Sequence, residues 1–300
     1  MMTLDAVIIA VSNDQPRVLV VERDGQPPAL PSGALDTAHD ATLELGMRRL
    51  IRDQTGLEVG YAEQLYTFGD RDRGAVDGNE RHLSVAYLAL VRETAPALEA
   101  RWMDVYELLP WEDTRQDDGT ARAAGLRTDL ERWAGRDRAR RERIALAFGP
   151  PWDGIRVLER YELLYGSGLV AEAGAEHLDA PGRPMAFDHR RITATALGRI
   201  RGKLTYRPVV FELLPETFRL LDLQHTVEAL AGVKLHKQNF RRLVERSGLV
   251  EGTGERTAGT TGRPAELFRY RPSVQLERPR PGVGVPYRGA RGVSDGRHGQ

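Results

Sequence analysis

The chain has 300 residues, of which 41% are apolar and 29% charged, enough apolar content for a globular protein of about two domains. Its 43 Lys and Arg residues balance 43 Asp and Glu residues, so any binding to nucleic acid must come from a local basic patch. The absence of Cys excludes disulfides and thiolate metal sites.

The sequence shows the pattern of neither a signal peptide nor a membrane span. The first residues lack the basic region and apolar segment of a signal peptide, and no apolar run approaches the ~18 residues of a membrane span. We therefore expect a cytoplasmic protein with no membrane partner. The seven His residues are scattered, with no His-x-x-x-His spacing, so no metal site is predicted.

The first hundred residues alternate strand and helix signals. Residues 4–11 and 17–23 are β-branched runs around a polar turn, which predicts a hairpin of two buried strands. A loop rich in Pro and Gly follows, and residues 40–54 have helical spacing that ends at Thr55-Gly56. Residues 64–69 and 82–91 predict two more strands around a polar loop, and 102–110 predict a strand and a turn.

The middle of the chain is predicted to be helical. Apolar spacing indicates helices at residues 126–134 and 140–148, both with charged exposed faces, and another at 155–165. The basic run 136–143 alternates in sign, which favours a solvated helix with ion pairs over a DNA contact. Asp188 is predicted to cap a helix running from His189 towards Lys203, and this structural role is preferred to an acid/base pair of Asp188 with His189.

Residues 216–271 have the pattern of a winged helix-turn-helix. Phe218, Leu221, Val227 and Leu230 predict a first helix, closed at Gly232. A second helix follows at 237–246, with Phe240, Leu243 and Val244 inward and a cationic outer face. Strands at 249–251 and 267–270 around a Gly/Thr/Arg-rich tip predict the wing.

The outer face of the second helix has the composition of a recognition helix for a double-stranded DNA operator. Arg and Lys can reach guanine, Asn and Gln can reach adenine, and wing cations can meet phosphates. The predicted DNA-binding residues are Lys237, Gln238, Asn239, Arg241, Arg242, Arg256 and Arg263. The alternative is an ordinary solvated helix face in a protein-interaction module.

Several motifs together resemble a known family. Leu30-Pro31-Ser32-Gly33, the helix ending in Gln54-Thr55-Gly56-Leu57, and the strand Leu65-Tyr66-Thr67-Phe68-Gly69-Asp70 resemble a Nudix domain. With the winged helix behind it, the chain resembles the Nudix-related transcriptional regulators of bacterial NAD metabolism over residues 4–106 and 185–271. The resemblance implies a sensor for ADP-ribose or a related NAD-derived nucleotide, DNA binding as a homodimer, and no required cofactor.

The predicted fold class is α+β, a Nudix-like mixed-sheet domain with a helical insertion, followed by a winged helix-turn-helix domain. The predicted boundaries are 1–110 for the first part of the Nudix-like domain, 111–184 for the helical insertion, 185–207 for the end of the Nudix-like domain, 208–271 for the winged helix, and 272–300 for a disordered tail.

A loop with cations can hold a diphosphate, and an aromatic ring can stack on a base. The predicted effector-binding residues are Arg23, Gly33, Phe68, Asp70, Arg71 and Arg73.

The helix that would hold a metal in an active Nudix enzyme lacks the needed carboxylates. An active Nudix helix requires several Glu side chains on adjacent turns to hold Mg²⁺ against a diphosphate. Leu50 and Gln54 stand in ligand positions and Arg52 adds a cation, which leaves Asp53 with Glu44 two turns upstream. We therefore expect no catalytic residues and no enzyme activity. The alternative is a Nudix-type nucleotide pyrophosphohydrolase with an accessory helical domain.

Overall fold

The computed structural model describes residues 2–70, 83–97, 99–174, 180–257, 264–277 and 282–283. Its larger sheet has six strands. They are β1 (Met2–Ser12), β2 (Gln15–Val21), β3 (Ser32–Ala34), β4 (Tyr61–Phe68), β5 (Leu83–Leu90) and β6 (Ala100–Asp104). The strand order is β4-β5-β1-β2-β6, with β3 paired to β1 beside β2. Only the pairing of β1 with β5 is parallel within this sheet of described strands.

The hairpin of β1 and β2 forms as the sequence predicts. Its two turn residues, Asn13 and Asp14, have positive φ values of 49° and 59°. Positive φ at both positions is the type I′ geometry whose twist matches that of paired strands, and Asn and Asp tolerate it. Residues 4–10 of β1 are all buried, which confirms the predicted burial on both faces.

One face of the sheet is covered by helix α1 (Leu43–Thr55). Met47, Leu50 and Ile51 pack there against apolar side chains of β1 and β5. The helix begins three residues later than predicted because Thr42 is its cap, with Oγ1 accepting from the Leu45 N–H. Its end at Gly56, in the left-handed conformation, is as predicted.

The opposite face is covered by α6 (His189–Leu204) and α7 (Leu220–Ala231). Val18 and Val20 of the sheet, Ile200 of α6, and Leu223 and Val227 of α7 belong to one continuous core of buried residues. The first helix of the winged helix therefore packs directly on β1 and β2. Residues 209–213, predicted as an extended junction, form a 3-10 helix whose apolar side chains are packed in the same core.

The remaining helices of the first part are α2 (Val105–Leu108), α3 (Asp117–Ala134), α4 (Arg138–Phe148) and α5 (Val157–Gly166). Helix α3 begins nine residues before the predicted start. Its first nine residues include Gly119 and Gly125, and glycine weakens the sequence signal for a helix. Asp188 precedes α6 as predicted, but its side chain pairs with Arg191 instead of capping the backbone.

The winged helix contains α7, α8 (Lys237–Ser247) and a three-stranded sheet. The strands are β7 (Thr217–Phe218), β8 (Val250–Arg256) and β9 (Glu266–Tyr270). The predicted position of Phe218 in the first helix is wrong, because Phe218 pairs with Phe268 in the sheet. Leu221 and Leu243, predicted to be inward, are 38% and 37% exposed, since each faces a groove beside the domain core.

Part of the predicted tail is ordered. A four-residue helix, α9 (Val274–Glu277), has Val274 fully buried. Val283 is also fully buried and its N–H donates to the Leu204 carbonyl at 2.8 Å. The two Val side chains join the core, so the described residues of the tail pack against the body. Within the described residues, the helices are too short or too polar to cross a membrane.

Candidate nucleic-acid interface and nucleotide site

Helix α8 presents three distinct faces. Phe240 and Val244 are buried against α7. At about 100° per residue, Gln238 and Arg242 lie on the opposite side, pointing away from the protein. Lys237 and Arg241 line a groove beside β9, and Asn239 lines a larger groove beside α3. Gln238 and Arg242 are therefore the polar side chains of α8 that face furthest from the domain core.

The predicted DNA-binding residues are brought together only in part. All five on α8 are exposed, but Arg241 donates from Nε to Glu245 at 3.0 Å and Asn239 faces sideways. Arg256 is exposed at the end of β8, opposite Glu266. Arg263 lies outside the described residues. The described wing thus adds one predicted cation, Arg256, beside the recognition helix.

The end of α7 is held by side chains from the first part of the chain. A helix leaves its last carbonyls without intrahelical partners. Here the Tyr106 hydroxyl donates to the Ala229 carbonyl at 2.6 Å, and Arg201 Nε donates to the Leu230 carbonyl at 3.0 Å. The Thr114 hydroxyl donates to the Gly232 carbonyl at 2.8 Å. The turn of the helix-turn-helix is therefore fixed to the part of the chain that precedes α7.

A buried ion network supports this contact. The carboxylate of Glu112 pairs with Arg160 at 2.6 Å and with Arg201 at 2.5 Å, and all three side chains are fully buried. Burial disfavours the charged form of Glu112, but the two guanidinium groups outweigh burial and keep the pKa of Glu112 below its usual value. Burial raises the pKa of Tyr106 to about 12, so its hydroxyl remains a donor at neutral pH.

The Nudix helix α1 does not offer a set of metal ligands. Leu50 is buried in the core beneath the sheet. The Gln54 amide accepts from the Ser32 N–H at 3.1 Å and donates to the Ser32 carbonyl at 2.7 Å, which fixes the loop before β3. Asp53 is exposed 3.5 Å from Arg49, and Glu44 pairs with Arg48. These donors do not fit the Mg²⁺ ion that active Nudix helices hold.

Two of the predicted effector residues, Phe68 and Asp70, both contact Arg191, a residue that no sequence pattern indicated. The guanidinium carbon of Arg191 lies 5.3 Å from the Phe68 ring centre, and its Nη1 contacts the Asp70 carboxylate at 2.5 Å. Phe68 is buried and the guanidinium of Arg191 lies over its ring. The expectation that this ring stacks on a base stays a prediction. Asp188 and Glu162 also pair with Arg191.

The other predicted effector residues lie apart. Gly33 is in β3, where a Cβ atom would approach a Leu50 methyl carbon to 2.8 Å. Arg23 is exposed in the loop after β2, and Arg71 and Arg73 lie outside the described residues.

A buried polar cluster near Arg191 was also missed. Asp5, in the middle of the apolar start of β1, accepts a hydrogen bond from the Ser84 hydroxyl and lies 3.5 Å from His189 Nε2. His189 Nδ1 accepts from the Leu30 N–H at 2.9 Å, so the cluster joins β1, β5, α6 and the loop before β3. An acidic residue inside a buried strand was the available signal, because such a group requires partners.

Comparison with known proteins agrees with this architecture. The family model of the NUDIX domain matches residues 2–124, and that of the NrtR DNA-binding winged helix domain matches residues 210–270. The chain is NrtR-like. Its NUDIX match extends past the boundary predicted at residue 110, whereas the winged-helix match lies within the predicted 208–271.

Relatives of this NrtR-like chain span nearly its whole length. An ADPR responsive transcriptional repressor from Acinetobacter baylyi is 25% identical over 275 residues, covering 90% of this chain and 82% of the relative. The crystal structure of Shewanella oneidensis NrtR complexed with a 27mer DNA is 24% identical, with a TM-score of 0.58, covering 92% and 95%. A MutT/nudix family protein from Enterococcus faecalis is 17% identical, with a TM-score of 0.53, covering 90% and 86%. The two structures share the fold of this chain.

Proposed function

We propose that this chain is a transcriptional repressor of NAD biosynthesis or salvage genes that binds operator DNA and responds to ADP-ribose or another NAD-derived nucleotide. The observation that carries the proposal is the attachment of the winged helix to the Nudix part through α7, whose last carbonyls are bonded by Tyr106, Arg201 and Thr114. A ligand in the Nudix part can therefore act on the helix-turn-helix. The Acinetobacter baylyi relative, named as an ADPR responsive repressor, supports both halves of the proposal.

Operator binding is assigned to α8 and the wing. Gln238 and Arg242 point into the major groove, where Arg bonds guanine and Gln bonds adenine. Arg256 contacts phosphate and contributes affinity without sequence preference. The net charge of the chain is zero, so this local patch supplies the attraction. Two copies bind as a homodimer, because paired half-sites add affinity and specificity together.

The nucleotide is assigned to the end of the sheet near Arg191. This guanidinium is paired with the Asp70, Asp188 and Glu162 carboxylates. A diphosphate offers the same guanidinium stronger, bidentate acceptors, and it displaces Asp70, the most exposed of the three.

Helix α6 connects the two sites. Arg191 is near its start, and Arg201, ten residues later, bonds the Leu230 carbonyl of α7. Ten residues of helix span about 15 Å. A small movement of α6 on nucleotide binding thus displaces the last turn of α7 and changes the orientation of α8. The nucleotide shifts the population only if it binds the DNA-competent and DNA-incompetent forms with different affinity.

Hydrolysis is not part of the proposed function. The alternative, a nucleotide pyrophosphohydrolase, requires carboxylates at the positions held by Leu50 and Gln54. Leu50 packs in the core and Gln54 bonds the backbone of Ser32. The Nudix part is proposed to bind its nucleotide without cleaving it.

The test selects duplexes that the full chain binds from a randomised library and follows their release by fluorescence anisotropy. Added ADP-ribose is expected to lower the affinity for the selected duplex. Arg191→Gln should bind the duplex normally and lose this response, while Arg183→Gln, at a surface pair with Glu22, should keep it. Failure to enrich any sequence would refute the regulator. Equal responses of wild type and Arg191→Gln would refute the assigned nucleotide site.

A further inference from the structure

A large groove separates helix α3 from the turn of the helix-turn-helix and the flank of α8. Its volume is about 1120 Å³, and it shares no residue with the Asp5, His189 and Arg191 cluster. Small-molecule sites in proteins are concave spaces of roughly 300–1,000 Å³, lined mainly by apolar and aromatic groups with a few polar ones. The groove is slightly larger than this range and matches the description in composition.

The apolar wall of the groove is held by packing contacts around Trp152. Trp152 packs edge-on against Phe148, with ring centres 6.2 Å apart. The Arg160 guanidinium lies 4.0 Å from the centre of the Trp152 ring, and Arg160 is itself fixed by the buried Glu112. On the facing side, Phe240 is buried and Leu243 stays 37% exposed within the groove. An aromatic surface held in place in this way binds a flat apolar group at little entropic cost.

The charged side chains that line the groove are cationic, although each is paired with an acid outside the lining. They are Arg127 and Lys234, and no Asp or Glu is among the lining residues in the described part of the chain. Arg127 Nε donates to Glu131 at 2.8 Å and Lys234 lies 3.4 Å from Glu228, so both acids approach from outside the lining. An anionic group at the rim would be attracted by cations on both sides of the opening.

We propose that this groove is a second ligand site, separate from the nucleotide site, for a small organic anion with a flat aromatic body, such as an aryl carboxylate or sulfonate. The aromatic body lies against Trp152 and Leu243, and the anionic group faces Arg127 and Lys234. A DNA strand is a poorer fit, because a phosphodiester chain requires a continuous track of cations and not an aromatic wall.

The position of the groove gives the ligand an effect on DNA binding. One wall belongs to α3, and the other holds Asn239 and Leu243 of α8, so a bound ligand fixes the flank of the recognition helix. Its occupancy and the affinity for operator DNA are then linked, and each ligand changes the affinity for the other by the same factor.

The probe for this site is anilinonaphthalene sulfonate, whose fluorescence rises in an apolar site, compared with its uncharged relative phenylnaphthylamine. We expect saturable binding of the sulfonate to the folded full chain, and weaker binding of the uncharged compound. Ala124→Trp fills the groove from an exposed position of α3 and should remove the saturable signal. Arg127→Gln should raise the sulfonate Kd by about three- to tenfold, because it removes one charge-assisted hydrogen bond.

The matched control is Arg132→Gln, which changes an exposed arginine of the same helix that does not line the groove. It should leave the sulfonate Kd unchanged. Urea unfolding of each variant verifies that the probe is binding folded protein. Equal fluorescence in wild type and Ala124→Trp overturns the proposal. The proposal is also overturned if the Ala124→Trp variant still binds the sulfonate probe but no longer binds the DNA duplex. The groove would then belong to the DNA-binding surface.

Discussion

Arg201 of α6 donates from Nε to the carbonyl oxygen of Leu230 in α7 at 3.0 Å, although the two residues belong to different parts of the chain. The same guanidinium donates from Nη2 to the Glu112 carbonyl at 2.9 Å and pairs with the Glu112 carboxylate. A guanidinium has five N–H donors in a fixed plane, so one side chain can hold a helix end, a loop and a buried acid together.

Removal of Arg201 is predicted to destabilise the protein strongly. Arg201→Met keeps much of the side-chain volume but leaves Glu112 with Arg160 as its remaining ionic partner in a fully buried site. Breaking a buried ion pair by removing one partner costs about 3–5 kcal/mol. Urea unfolding should show a decrease of this size. Arg199→Met, which removes a guanidinium 5.6 Å from the exposed Tyr66 ring, should cost about 1 kcal/mol or less. Equal decreases in the two variants would contradict this account.

The faces of α8 predict unequal roles for its polar residues. Arg242→Ala should reduce the free-energy difference between specific and nonspecific binding by about 1–3 kcal/mol. The reason is that Arg242 points directly away from the buried Phe240 and Val244. Asn239→Ala should have a smaller effect, since Asn239 faces the groove beside α3. Titrations of each variant against selected and scrambled duplexes would measure the two ratios. A larger effect of Asn239→Ala would show that the helix enters the DNA in another orientation.

The wing is predicted to act through charge alone. Arg256→Ala should weaken binding to selected and scrambled duplexes alike, because an arginine bound to phosphate reads no sequence information. The slope of log affinity against log salt should become shallower by about one unit for each phosphate that Arg256 no longer neutralises. A salt series on both duplexes measures this slope. Weakening confined to the selected duplex would place Arg256 on a base instead.

No metal-dependent hydrolysis of ADP-ribose is expected. The helix presents Leu50 in the core and Gln54 on the Ser32 backbone, which leaves Asp53 and Glu44 as its carboxylates. Product analysis after incubation with Mg²⁺ or Mn²⁺ would measure turnover. Steady turnover that disappears in Asp53→Ala would contradict the expectation.

Acid stability is predicted to depend on the pair of Asp40 and Arg49. Arg49 donates to both carboxylate oxygens of Asp40, at 2.9 and 2.8 Å, and these hydrogen bonds lower the pKa of Asp40 to about 2. The unfolded pKa is about 3.9. The folded value is the lower one, so the stabilisation is present above about pH 4 and is lost as pH falls towards 2. Asp40→Asn should therefore be less stable than wild type at pH 6, and the gap should narrow between pH 4 and 2. Asp129→Asn, at an exposed pair with Arg132 on α3, is the control. An unchanged gap across this range would contradict the assignment.

The sequence predicted the turns and helix ends that depend on interactions between residues close together in the chain. Asn13-Asp14 indicated the first hairpin and Gly56 the end of α1, because turn and cap preferences act over a few residues. The pairing of Phe218 with Phe268 was missed, since a two-residue strand exists only through its partner 50 residues away. Arg191 was missed for the same reason: its contact with Asp70 joins residues 121 apart. Helical spacing indicates which side of α8 is polar, but the neighbours that divide this side into three faces come from α3 and β9.

The two hydrogen bonds between Gln54 and Ser32 also limit how the scaffold could be redesigned. A carboxylate at position 54 would still accept from the Ser32 N–H, but it has no hydrogen to give to the Ser32 carbonyl, and the two oxygens would repel each other. One side chain cannot both hold this loop and bind a metal. An engineer who wishes to build a hydrolase from this protein must therefore first rebuild residues 30–33 so that the loop stays in place without the amide, and only then change the helix.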